Sequence, residues 1–206
     1  MPVIRFRGFA MRRIVVRVLT AALLMTTGGG VAAESPVTLI VRLYNTAGIP
    51  PDELAAARHT ADAILRDPGL EVTFRQCGSA TDSCDQPLAR SEVVVRIIDA
   101  PPFNATLEPD AFGLTYIVKS TNRGWLATVF ADRIGSAATR VGVEPSTLLG
   151  RVMAHEIGHL LLGIDYHGSA GVMRAEWSNE TLNHRGEDWR FSMAEAEQMQ
   201  RIIASL

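Results

Sequence analysis

The sequence predicts an α/β domain of about five strands, an N-terminal helix, a long buried helix and a closing C-terminal helix. Three observations predict it. An apolar strand, a proline-started helix and a second strand follow one another near residue 37, and such a crossover is right-handed and leaves its strands parallel. Residues 148–162 are apolar on nearly every side, the pattern of a helix packed on all faces, yet they contain His155, Glu156 and His159. The chain ends in a capping box, Ser192-Met193-Ala194-Glu195, that launches a last amphipathic helix. At 206 residues there is room for one ordinary domain.

The first thirty-three residues read differently from the rest. Arg5, Arg7, Arg12, Arg13 and Arg17 precede the first acidic residue, Glu34. An apolar run at 18–25, three glycines and Val31-Ala32-Ala33 follow, which together give the charged, apolar and cleavage regions of a secretory signal. The run is too short for a membrane span of about 20 residues, so no stable span is expected after cleavage. Arg12-Arg13 hints at twin-arginine export. The expected division is a signal peptide at 1–33 and a mature domain at 34–206, secreted or periplasmic. Cleavage removes five basic residues and no acidic one, taking the formal net charge from −2 to −7. With Lys119 the single lysine, the mature chain has no basic stripe for nucleic acid or anionic lipid. The two cysteines, Cys77 and Cys84, flank a Gly/Ser/Asp-rich loop, which in an oxidising compartment reads as a local disulfide.

Taken in order, residues 37–44 form a first strand, β-branched and almost continuously apolar. Pro50-Pro51-Asp52 opens a helix to about Arg66, with Leu54, Ala57, Ala61, Ile64 and Leu65 inward, and Asp67-Pro68-Gly69 stops it. His59, on this helix, reads as a surface or half-buried histidine. Residues 70–75 and 92–98 give the second and third strands, and Pro101-Pro102 ends the third. Residues 112–118 and 125–131, divided by a turn-rich stretch, give two more strands, one of them an edge strand beside a cleft. Glu144-Pro145-Ser146 starts the buried helix, with Pro near its first turn, and Gly163 stops it. Met199, Ile202, Ile203 and Ala196 face inward on the closing helix.

The buried helix carries the chemistry. In His155-Glu156-Ile157-Gly158-His159, positions i and i+4 share a helix face, so both imidazoles can reach one metal ion. Glu156, one step round the helix, can reach a water at that ion without ligating it. This is the pattern of a zinc-dependent hydrolase. Without a metal and its water, burying these polar groups would cost on the order of 2–7 kcal/mol each.

On these residues and this element order, the chain resembles the metzincin clan of zinc endopeptidases. The resemblance covers essentially all of the mature chain. It implies a twisted, mostly parallel sheet of about five strands, with the H-E-x-x-H helix and a C-terminal helix that follows a methionine-containing turn. The clan's motif continues H-x-x-G-x-x-H, and here the sequence departs from it. The glycine is Gly163, one place late, and the next histidine, His167, comes eight residues after His159 instead of six; the position six along is Asp165. His167 is the favoured third ligand, completing a three-histidine site with an open position; Asp165 is the alternative. Met173 is the expected Met-turn residue, a packing base beneath the metal. The resemblance implies one zinc per chain, Glu156 as general base, and a peptide or protein substrate. Trp177, Trp189 and Phe191 are candidate cleft walls, and His184 reads as a surface residue. A competing expectation is a secreted zinc-binding protein that keeps the scaffold without catalysis.

Overall fold

The structure is a computed structural model that describes residues 38–78, 84–102, 107–108, 110–118, 120–163, 167–184 and 186–206. The proposed signal segment, Lys119 and Asp165 lie outside the described residues. All five expected strands form: β1 (Thr38–Asn45), β2 (Glu71–Cys77), β3 (Glu92–Ile98), β4 (Gly113–Val118) and β5 (Arg123–Phe130). They make one sheet in the order β2-β1-β3-β5-β4. β2, β1, β3 and β5 are mutually parallel, and β4 runs antiparallel to β5 along one free edge. The mostly parallel five-stranded sheet is therefore observed.

Helix α1 (Pro51–Arg66) makes the crossover from β1 to β2. Pro51 occupies its first turn, where a missing N–H costs nothing, and the five residues expected inward are the five buried. The long helix α3 (Pro145–Leu162) ends at Gly163, whose φ of 65° is left-handed; its N–H caps the His159 carbonyl at 3.0 Å. A Cβ at Gly163 would fall 1.7 Å from the Asn122 carbonyl oxygen, so both conformation and space demand glycine there. Two close approaches seat α3 in the core. Gly150 lies against the Ala57 carbonyl and Thr60 of α1, and Gly124 of β5 against Leu160. From Leu148 to Leu162 every residue of α3 is buried. The closing helix α5 (Met193–Ala204) carries the expected capping box, with the Ser192 N–H donating to Glu195 at 2.7 Å. Met199 and Ile203 of α5 are buried; Ala196 and Ile202 are only half-buried, a narrower inner face than expected.

Two helices were not expected. α2 (Ala131–Val141) follows β5 directly, and α4 (Asn179–Asn183) is a single turn before a 3-10 turn at Gly186–Trp189. α2 buries only Ile134, Ala137 and Ala138. It begins with no turn after β5, and no side chain caps its start.

The sheet's second face holds a polar anchor inside what reads as an apolar strand. Arg42 is enclosed and donates to the carbonyls of Cys84, Gln86 and Pro87, at 2.8, 2.6 and 3.3 Å, and to Glu92 at 2.5 Å. Arg75 completes the grip on Glu92 at 3.1 Å. Burial alone would raise the Glu92 pKa, but the Ala89 N–H and the two guanidinium groups outweigh it and hold the carboxyl low. The expected Cys77–Cys84 disulfide is formed, with Cα atoms 5.9 Å apart. Arginine and disulfide together pin the β2–β3 connection over the strands.

Candidate metal centre

His155 and His159 project from one face of α3, as their spacing requires. The chain after the helix brings His167 back to the same point. The His159 Nε2 lies 3.1 Å from the His155 Nε2 and 3.2 Å from the His167 Nε2. All three ligand atoms fall within 4.8 Å of one another. Zinc–nitrogen bonds of about 2.0–2.1 Å in a tetrahedral site place ligand nitrogens about 3.3 Å apart, so the spacing fits one small ion. Among the described residues this is the one cluster of three or more such side chains able to hold a metal.

The turn that follows fixes the ring of His155. Its Nδ1–H donates to the Val172 carbonyl at 2.7 Å, which leaves the Nε2 lone pair facing the other imidazoles. Val172 is itself held, its N–H donating to the Arg190 carbonyl at 2.9 Å, while the Gly168 N–H donates to the Met173 carbonyl at 2.8 Å. Burial, followed by the neighbouring His159, pushes His155 down to about 3, against the pull of the Val172 hydrogen bond. Burial likewise lowers His167. Both shifts favour the neutral imidazole, which is the form that ligates metal.

Glu156 is fully enclosed. Burial pushes its carboxyl up to about 7, opposed by the hydroxyl of Thr115, which donates to Oε2 at 2.5 Å. A carboxyl near neutrality can both accept and return a proton. Met173 is buried beside Gly158, where a Cβ would lie 2.5 Å from its sulfur and 2.8 Å from Phe191. Trp177 stands edge-on to His155 at 5.3 Å and meets Phe112, the residue before β4, at 5.9 Å. Trp189 packs on Trp177 and carries the Arg151 guanidinium over its ring at 4.0 Å. Arg151 also donates to the Leu182 and His184 carbonyls, tying α3 to α4.

The structure thus gathers His155, His159 and His167 with Glu156 beside them. Asp165, the alternative ligand, lies outside the described residues. His59 is exposed, and His184 is half-exposed and bonded to Asp188 at 2.9 Å; neither joins the site. Thr115 was not foreseen, because nothing in a strand sequence marks one threonine as facing a carboxylate forty-one residues on.

The sheet order, the antiparallel edge strand and the buried helix that carries two of the three clustered histidines make a fold shared with zinc-dependent peptidases of known structure. Among solved structures, the chain is similar to a zinc-dependent peptidase from Methanocorpusculum labreanum, at 18% identity and a TM-score of 0.50 over 77% of this chain and 99% of that one. It is also similar to metalloproteinase-II from Bacteroides fragilis, at 14% identity and a TM-score of 0.52 over 81% of this chain; it spans 53% of the Bacteroides chain. No protein-family model matches the sequence, and no curated protein matches it.

Proposed function

We propose that this chain is an exported zinc-dependent endopeptidase, holding one zinc ion through His155, His159 and His167, with Glu156 as its general base. The observation that carries this reading is the convergence of three imidazole nitrogens beside a buried carboxyl. When bound, zinc polarises a carbonyl and makes a water acidic enough to be activated near neutral pH. Glu156 takes the proton of the attacking water and returns it to the leaving amine. Val172 holds His155 in the ligating tautomer, and Met173 packs beneath the ligand helix in the place of the Met-turn. The free edge of β4 offers backbone groups to an extended peptide.

The signal-like residues 1–33 and the Cys77–Cys84 disulfide support export of a mature domain at 34–206. Among the described residues no helix is long and apolar enough to cross a membrane.

The test is peptide cleavage by the mature chain beside Glu156→Gln. The expected result is zinc-dependent cleavage by the wild type, and a variant that binds zinc with undiminished stoichiometry and cleaves nothing. Zinc binding without cleavage of any peptide by the wild type would favour a non-catalytic zinc-binding protein. Equal cleavage by Glu156→Gln would remove the carboxyl from the mechanism.

A further inference from the structure

A buried carboxylate is useful as a base only if its oxygens point one way. The terminal torsion of glutamate is broad and roughly two-fold, so burial alone does not orient it. Here two residues of β4 do. Thr115 pairs in register with Ala127 of β5, and the strand pleat turns its side chain toward α3. Its hydroxyl donates to Glu156 Oε2 at 2.5 Å and lies 3.4 Å from the Glu156 backbone carbonyl. The other oxygen, Oε1, lies over Gly113, where a Cβ would come within 2.5 Å of it. The same Cβ would meet the Thr128 carbonyl at 2.9 Å, so a side chain at 113 has no room on that side and must push the carboxylate away.

Resting on the peptidase reading above, we propose that Thr115 is a positioning residue that fixes one oxygen of the Glu156 carboxylate from the free edge strand, while Gly113 keeps clear the space of the other. The strand that aligns an extended peptide then also aligns the base. Proton transfer needs heavy atoms within about 2.6–3.2 Å, so a carboxylate free to swing loses rate without losing substrate or metal.

The experiment compares Thr115→Val, Thr115→Ser and Gly113→Ala in the zinc-loaded mature chain, on a peptide the wild type cleaves. Thr115→Val keeps the shape and removes the donor. Its kcat is expected to fall about 10–100-fold, the usual scale for a misplaced catalytic group, with KM and zinc content unchanged. Thr115→Ser should recover most of the rate, and Gly113→Ala should lose kcat as Thr115→Val does. An unchanged kcat in Thr115→Val, or a Thr115→Ser as slow as the valine variant, overturns the proposal. A second readout needs no activity. Thr115→Val should lower the denaturant midpoint clearly more in the wild-type background than in Glu156→Ala, where only the more distant backbone carbonyl remains as acceptor. Equal shifts in both backgrounds also overturn it. Should the wild type cleave no peptide, the peptidase reading fails, and the unfolding comparison alone decides whether Thr115 holds Glu156.

Discussion

Replacing Arg42 with methionine tests the fold's least expected feature. The guanidinium is enclosed between the sheet and the pinned connection, paired with Glu92 and bonded to three carbonyls. Methionine keeps much of the volume, but it leaves Glu92 with Arg75, whose side chain is partly exposed, and the Ala89 N–H. Breaking a buried pair by removing one partner costs about 3–5 kcal/mol. For a domain of this size each kcal/mol moves the midpoint by about 2–4 °C, so Tm should fall by about 6–20 °C. Thermal unfolding of the mature, disulfide-intact chain by circular dichroism measures this directly. Because the pair lies on the sheet face away from α3, zinc content should not change. The double variant Arg42→Met/Glu92→Leu should lose less than the sum of its parts, since no charge is then stranded. Glu92→Gln adds a pH signature. The Glu92 pKa is lower in the folded chain than its ordinary 4.5. It therefore stabilises the fold above that value, and the stabilisation is lost as pH falls toward and through the depressed folded pKa. The stability gap between wild type and Glu92→Gln should be full at neutral pH and close below about 4.5. A Tm loss under about 2 °C for Arg42→Met, or a gap constant with pH, would refute the reasoning.

The remaining predictions concern the site. His167→Ala should reduce bound zinc to a small fraction of one per chain, while Asp165→Ala should keep it; the reverse pattern, measured by metal analysis, would move the third ligand to the aspartate. Gly158→Ala places a methyl group against Met173 and Phe191, so overpacking should cost about 1–3 kcal/mol and weaken zinc binding in titration; a variant with wild-type Tm and affinity would show that the contact yields freely. Removing zinc with a chelator should speed amide exchange across 167–174, the turn that supplies His167 and the Val172 carbonyl, while β1 and β3 stay protected. Uniform exchange changes across the chain would show that the turn is not specifically held by the site.

Much of this architecture was legible because local signals agree with one another. β3 runs over the residues its β-branched run predicts, and α1 buries the five residues its periodicity selects. Pro51, Gly163 and the Ser192–Glu195 box mark helix ends through chemistry that acts within one turn. What stayed hidden depends on distant partners. Arg42 reads as an odd charge in an apolar strand until the carbonyls of Cys84, Gln86 and Pro87 fold over it. α2 escapes because it follows β5 with no intervening turn and no side chain caps its start. The third histidine illustrates the boundary. Spacing alone leaves His167 and Asp165 open; the structure sets the His167 imidazole beside the other two, while Asp165 lies outside the described residues.

The polar groups of α3 explain why the chain after it is shaped as it is. A helix buried from Leu148 to Leu162 can carry charge and imidazole only if each finds a partner. Arg151 finds the Leu182 and His184 carbonyls and the face of Trp189. His155 finds the Val172 carbonyl, and His159 finds His155 and His167. Nearly all of these partners lie between residues 167 and 189, a stretch that includes the short helix α4 and the 3-10 turn. Glu156 is the exception, since its partner Thr115 comes from the sheet edge. The three histidines are thus supported from the loop side and the Glu156 carboxyl from the strand side. On the peptidase reading, the proposed base and the proposed metal ligands are therefore braced by separate parts of the chain, β4 and the stretch from 167 to 189.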